Sequence, residues 1–192
     1  MAYTPLLIND KPLDCVSSFK VLGVVINDQL KWQDNIDMIV KKASKRLYIL
    51  RVLRRSGVPP ADLLTIYFSL IRSTVEYACC VWDKSLTKHL SGKLELVQKR
   101  AMRIIYPNTQ YSDALCLAKC PRLDERRDEL CLKTFAKMEE PTSRLHHLIP
   151  AKRGSQHGRN LKINSKYSLP RCRTERYKQS FIPAMRFSIH NS

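Results

Sequence analysis

Only five glycines occur in 192 residues. A chain this poor in glycine has little material for backbone-lined phosphate loops, and neither G-x-x-x-x-G-K-[ST] nor G-x-G-x-x-G occurs in it. Long apolar runs are missing as well. No stretch reaches the ~18 apolar residues that a membrane span needs, and "MAYTPLLIND" lacks the basic and then apolar pattern of a secretory leader. The expectation is an intracellular protein of the nucleus or cytoplasm, not secreted and not in a membrane. Its seven cysteines, an odd number, are then expected to be reduced thiols. Acid is scarce beside base: 17 Asp plus Glu stand against 34 Lys plus Arg, a net charge of +17.

What is present is a basic chain with enough apolar residues for a core. Hydrophobic residues make up 44%, which argues against wholesale disorder. Ten prolines fall between segments, as suits helices with Pro-marked joints. An excess of cations on this scale points first to a polyanion such as RNA or DNA. An anionic membrane surface and a merely solvated basic surface are the other two readings.

The pattern predicts a mainly α protein: a helical bundle, a small N-terminal antiparallel β portion and an extended basic C-terminal tail. The chain divides into three regions, at 1–31, 32–140 and 141–192. In the first, "PLLI", "NDKP" and "LDCV" suggest a hairpin. "FKVLGVVI" then reads as one strand, apolar almost throughout, with both faces covered. In the second, Ile36, Ile39, Val40, Ala43, Leu47 and Leu50 share one face of a helix over 33–55. Gly57 is placed to stop it. A central helix starts at Pro60 with Leu64, Tyr67, Ile71, Thr74 and Ala78 in one stripe. A third, over 86–105, turns Leu90, Leu94, Val97, Ala101 and Ile104 or Ile105 inward and ends at Pro107. A short helix at "YSDALCLAK" and a longer one over 122–139, anchored by Leu123, Leu130, Phe135 and Met138, complete the bundle. Residues 151–192 carry ten Lys plus Arg and one acid, Glu175, without helical periodicity.

Two basic constellations are candidate nucleic-acid contacts. On the first helix, Lys41, Lys42, Lys45, Arg46 and Arg55 are read as lying opposite the apolar stripe, with Tyr48 close by to stack on a base. In the tail, "PRCRTERYKQSF" mixes Arg171, Arg173, Arg176 and Lys178 with Tyr177 and Phe181. Solvated charge and ordinary packing explain the same residues.

No catalytic set emerges. The acids of "LDERRDEL" alternate with arginines at helical spacing and read as surface pairs. Cys116 and Cys120, with His146 and His147 downstream, lack the usual zinc spacing and fit core positions better. Cys79 and Cys80 read as small core residues. No metal and no cofactor is expected.

One stretch is recognisable. "VSSFKVLGVVINDQLKWQDNIDMIVKKASKRLYILRVLRR" resembles the region after the catalytic centre in reverse transcriptases of non-LTR (LINE, jockey-like) retrotransposons. The shared pattern is Phe19, Lys20, Leu22, Gly23 and Val24, then Asp28, Leu30 and Trp32, then Ile36 and a basic helix. The resemblance continues in order through "LLTIYFSLIRSTVEYACCVWD", "LELVQKRAMRIIY", "LDERRDELCLKTFAKM" and "LPRCRTERYKQSFIPAMRF". It implies that 17–27 correspond to a primer-grip region, with Phe19, Lys20 and Gly23 near the nucleic acid, and that 33 to about 105 correspond to the thumb and the post-thumb region. The resemblance further implies RNA and DNA as partners, without sequence preference, together with the palm and fingers of the same polyprotein. The family's polymerase uses Mg2+ on paired aspartates, and no Asp-Asp pair occurs here. The expectation is therefore nucleic-acid binding without catalysis, with an inert or co-opted helical interaction module as the alternative.

A second, shorter resemblance covers residues 40–55. "VKKASKRLYILRVLRR" is similar to a segment labelled as the N-terminal region of an AlkB-type tRNA-modifying protein. The oxygenase of that family needs a His-x-Asp pair. None of His89, His146, His147, His157 or His190 is followed two residues on by Asp.

Overall fold

The computed structural model describes residues 6–149 and 171–190. It is mainly α, with two small antiparallel hairpins at its N-terminal end.

Strands β1 (Leu7–Ile8) and β2 (Lys11–Pro12) flank a turn at Asn9 and Asp10. Both turn residues have positive φ, 48° and 60°. That is the two-residue loop geometry that asparagine and aspartate tolerate. The second hairpin corrects the single-strand expectation. "FKVLGVVI" folds back on itself as β3 (Ser18–Val21) and β4 (Val24–Asn27), in the register Phe19 to Ile26 and Lys20 to Val25. Leu22 and Gly23 make the turn at φ 46° and 86°, so the glycine inside the apolar run is the break. Burial follows: β3 is exposed along its length, and only Val24 of β4 is fully buried. Among the described residues the two hairpins do not pair with each other.

Helix α1 (Gln33–Arg55) has the predicted bounds. Asp34 lies in its first turn, and Arg54 and Arg55 in its last, as the helix dipole favours. The chain leaves it through Gly57 at φ 85°. Gly57 N–H donates to Arg54 O, and Val58 N–H to Leu53 O, both at 3.2 Å. These two bonds are the glycine-dependent closure that satisfies the last carbonyls of a helix. Ile36, Ile39, Ala43, Leu47 and Leu50 are buried, each by an amount worth roughly 1.5–3 kcal/mol for the larger side chains. Asn35, also buried, accepts the Val25 N–H at 3.0 Å and ties β4 to α1.

The central segment is not one helix. It runs as α2 (Pro60–Ile66), a π-helical stretch (Tyr67–Arg72) and α3 (Ser73–Glu76), then breaks at Ala78 before α4 (Cys79–Trp82). Leu63, Tyr67, Ile71, Val75 and Cys79 form the buried apolar stripe, and Arg72, Thr74 and Trp82 are buried beside it. This stripe has a stride of four, which drifts by about 40° per step on an α-helix. The wider winding reduces that drift. It also replaces Leu64 and Ala78 of the expected stripe, which are only partly buried. Side chains bond to carbonyls along the segment: Ser69 Oγ donates to Thr65 O at 2.9 Å and Thr74 Oγ1 to Leu70 O at 2.9 Å. Ala78 sits at φ 52°, and the Trp82 indole closes the break by donating to Tyr77 O at 3.2 Å.

Helix α5 (Lys88–Ile105) packs on α1 and buries Leu90, Leu94, Val97, Ala101 and Ile105. Thr87 starts it, accepting Leu90 N–H at 3.3 Å. Helices α6 (Tyr111–Leu117) and α7 (Leu123–Glu139) come next. A polar chain crosses the core between them. Tyr67 Oη donates to Gln98 Oε1 at 2.6 Å, and Gln98 Nε2 donates to Tyr111 Oη and Pro121 O, each at 3.0 Å. Tyr111 Oη donates to Glu95 Oε1 at 2.5 Å.

The basic arm also departs from the extended form expected of it. Residues 175–178 form α8 and 181–190 form α9. Met185 is buried with Cys131 and Phe135 of α7, and Phe181 and Ile182 pack around them. The Ser85 hydroxyl donates to Gln179 O at 3.1 Å. Pro183 falls in the first turn of α9, where its missing N–H costs nothing. The remaining expectations for the arm, over 151–170, lie outside the described residues.

Candidate nucleic-acid interface

The outer face of α1 carries the first of the two basic constellations. Lys41, Lys45, Tyr48, Val52 and Arg55 recur at spacings of four and three, so they form one stripe along the helix. All five are exposed, and Tyr48 keeps 63% of its surface. Lys42 and Ile49 flank them and are exposed too. From Lys41 to Arg55 the stripe runs about 21 Å at 1.5 Å per residue. Among the described residues, Lys41, Lys42, Lys45 and Arg55 form no ion pair. Asp37, four residues before Lys41 on the same helix, instead holds Lys93 at 2.9 Å.

Arg46 does not belong to this face. It follows Lys45 by 100° around the helix and turns inward. Its guanidinium donates to Leu70 O and to Thr74 Oγ1, clamping α1 to the π-helical stretch. The sequence reading placed it opposite the core; its role in the fold is to satisfy a carbonyl of the widened helix.

The hairpin residues separate likewise. Phe19 is 65% exposed, and Lys20 is exposed beside it on β3. Gly23 is explained by the turn. A Cβ there would meet Tyr77 Cε1 at 3.3 Å, and Tyr77 Oη donates to Leu22 O at 2.7 Å. Leu22 is thereby held at the tip of the hairpin with 86% of its surface exposed. In the tail, Arg171, Arg173, Arg176 and Lys178 are all exposed. Lys178 lies 3.7 Å from Glu175 and 5.9 Å from the Phe187 ring.

Several other charged groups pair with one another. A cleft of about 410 Å³ is lined by Arg72, Glu76, Arg126 and Glu129. Within it Arg72 pairs with Glu76 at 2.5 Å and Arg126 lies 3.6 Å from Glu76, while Lys119 adds a further cation to the lining. Within "LDERRDEL" the surface-pair reading holds for Arg126 and Glu129, but Arg127 is a core residue. It is 1% exposed, donates to Asp83 at 2.5 Å and to Ser91 Oγ at 2.9 Å, and lies over Trp82. Burial raises the Asp83 carboxyl above its ordinary value, against the pull of Arg127. The signal was its spacing: Arg127 lies four residues from Leu123 and from Cys131, on the buried stripe of α7.

Cys116, Cys120, His146 and His147 do not converge. The His146 ring lies 3.3 Å from Met138 O and the His147 ring 2.9 Å from Arg144 O. Among the described residues the one group of three metal-type donors is Cys79, Cys80 and Cys131. No helix among them is long and apolar enough to cross a membrane.

A family model described as "Alkylated DNA repair protein alkB homolog 8, N-terminal" matches residues 32–75, under a quarter of the chain. The matched stretch starts at Trp32 and runs through α1, α2 and the π-helical stretch into α3. No curated protein and no solved structure matches the chain.

Proposed function

We propose that this chain is a thumb-like, nucleic-acid-binding portion of a non-LTR retrotransposon reverse transcriptase, without catalytic activity of its own. The observation that carries it is the row of exposed, unmatched cations on α1, with an exposed tyrosine among them. Phosphates give such a row its binding energy, through the counterions they release. Tyr48 adds a ring for stacking on a base or sugar. The net charge of +17 and the ordered motifs from Phe19 to the C-terminal segment support the same reading. Two-metal phosphoryl transfer needs paired carboxylates, and this sequence has no Asp-Asp pair.

The test is a salt titration of the full chain on an RNA–DNA duplex. Log affinity is expected to fall linearly with log salt, by about 0.9 for each phosphate contacted. Joint substitution Lys41→Glu, Lys42→Glu and Lys45→Glu is expected to abolish binding while circular dichroism stays unchanged. Affinity indifferent to salt would sink the proposal, and primer extension with magnesium or manganese would overturn its non-catalytic part.

A second reading is favoured by a separate observation. Leu7, Ile8, Phe19, Val21 and Leu22 are large, apolar and exposed on the two hairpins, which suits docking against protein. Retention of a protein partner by the triple-Glu variant would favour this interaction module. The AlkB-type label on residues 32–75 covers the same basic helix. It supports an α1-based contact no more specifically than that.

A further inference from the structure

Cys79, Cys80 and Cys131 bring their Sγ atoms within 4.8 Å of one another. That convergence is not what a regular helix produces. Consecutive residues on an α-helix point about 100° apart, so Cys79 and Cys80 ought to face different neighbours. They meet the same neighbour because the short helix that carries both packs against α7. Ala78 takes a left-handed φ of 52°, an unfavourable conformation for a residue with a Cβ. The short α4 beyond it then lies against α7, where Cys131 sits.

The surroundings are dry and soft. Cys131 is 0% exposed and Cys79 3% exposed, while Cys80 is half-buried and gives a route from solvent. Phe135 and Met185 are buried in the same cluster, and Phe181 and Ile182 pack over it from α9. The polar contacts of Cys80 are Thr134 Oγ1 at 3.2 Å and Leu130 O at 3.8 Å.

We propose that Cys79, Cys80 and Cys131 form a three-thiolate site for a thiophilic metal ion. Metal–sulfur bonds of about 2.3 Å put three sulfurs around one ion about 4 Å apart, so the cluster needs only small side-chain shifts to close. No fourth His, Cys, Asp or Glu joins the group among the described residues. The site therefore suits soft ions content with three sulfur ligands, copper(I) and cadmium among them, over hydrated hard cations. On binding, three S–H groups release their protons to water and three S–metal bonds form, with no change of oxidation state.

The test uses the full chain, reduced, metal-free and under inert gas, with Cd2+ and then copper(I) as probes. Cadmium is expected to bind one to one, with a thiolate charge-transfer band, and to raise the Tm. The control Cys15→Ser, Cys116→Ser, Cys172→Ser is expected to behave as the parent. Cys80→Ser and Cys131→Ala are each expected to weaken binding by more than the roughly 10–100-fold that a supporting neighbour of a ligand costs, with a smaller band. Copper(I) is expected to displace cadmium one for one in the parent. Circular dichroism of the metal-free variants checks that they fold, and the half-buried Cys80 provides a variant that leaves the core intact. Absence of a one-to-one complex overturns the proposal. So does a band that survives both of those variants and vanishes in the control.

Discussion

At the residue scale, three positions show how a side chain's partner decides its role. Gly23 combines a φ of 86° with a ring edge 3.3 Å from where a Cβ would stand. Gly23→Ala is expected to cost about 1–2 kcal/mol, read as a lower Tm with the helices intact. Arg46 and Lys45 are adjacent cations with opposite duties. Arg46→Gln is expected to lower stability by on the order of 1.5 kcal/mol, the value of a charged hydrogen bond, and to leave the salt slope of duplex binding unchanged. Lys45→Gln is expected to reduce that slope and leave the Tm unchanged. The reverse result would put Arg46 back on the binding face. Asp83 supplies a test by pH. Burial raises its carboxyl above 3.8. Asp37 is held below by hydrogen bonds with Gln33 and Lys93, and Asp124 by its hydrogen bond with Arg122. Between the unfolded and folded values of Asp83 the folded chain holds the extra proton, so this group lowers stability as pH rises through that window. Asp37 and Asp124 stabilise above the unfolded carboxylate value and lose that contribution as pH falls through their lower folded values. Carboxyl NMR titration is expected to find Asp83 protonating first as acid is added; Asp37 or Asp124 protonating ahead of it would refute the burial account.

At the element scale, α1 was legible because every signal for it is local. Apolar spacing, acid at the start, base at the end and Gly57 beyond it all agree, and the helix has the predicted bounds. The hairpin at 18–27 was misread because an apolar run does not show where it folds back; the glycine inside it carried the information. The central segment was misread for a different reason. A four-residue stride fits α and π windings nearly as well, and Arg46, 24 residues before Leu70, helps to hold the wider one.

At the scale of the whole molecule, helix α9 of the C-terminal arm is part of the core. Met185 is 0% exposed between Cys131 and Phe135. Met185→Ala is expected to destabilise the protein by about 2–5 kcal/mol, measured by denaturant unfolding; a change within a few tenths would mean that α9 does not dock. The sequence by itself determined the helical class, the basic balance and the apolar faces of α1 and α5, because propensity, charge and periodicity are carried by neighbours in the chain. Tertiary structure alone decided that Arg127 is buried on Asp83, that Gln98 links Tyr67 to Tyr111, and that three cysteines meet. Each of those depends on distant segments arriving together, in a core where an unmatched charge or amide is costly.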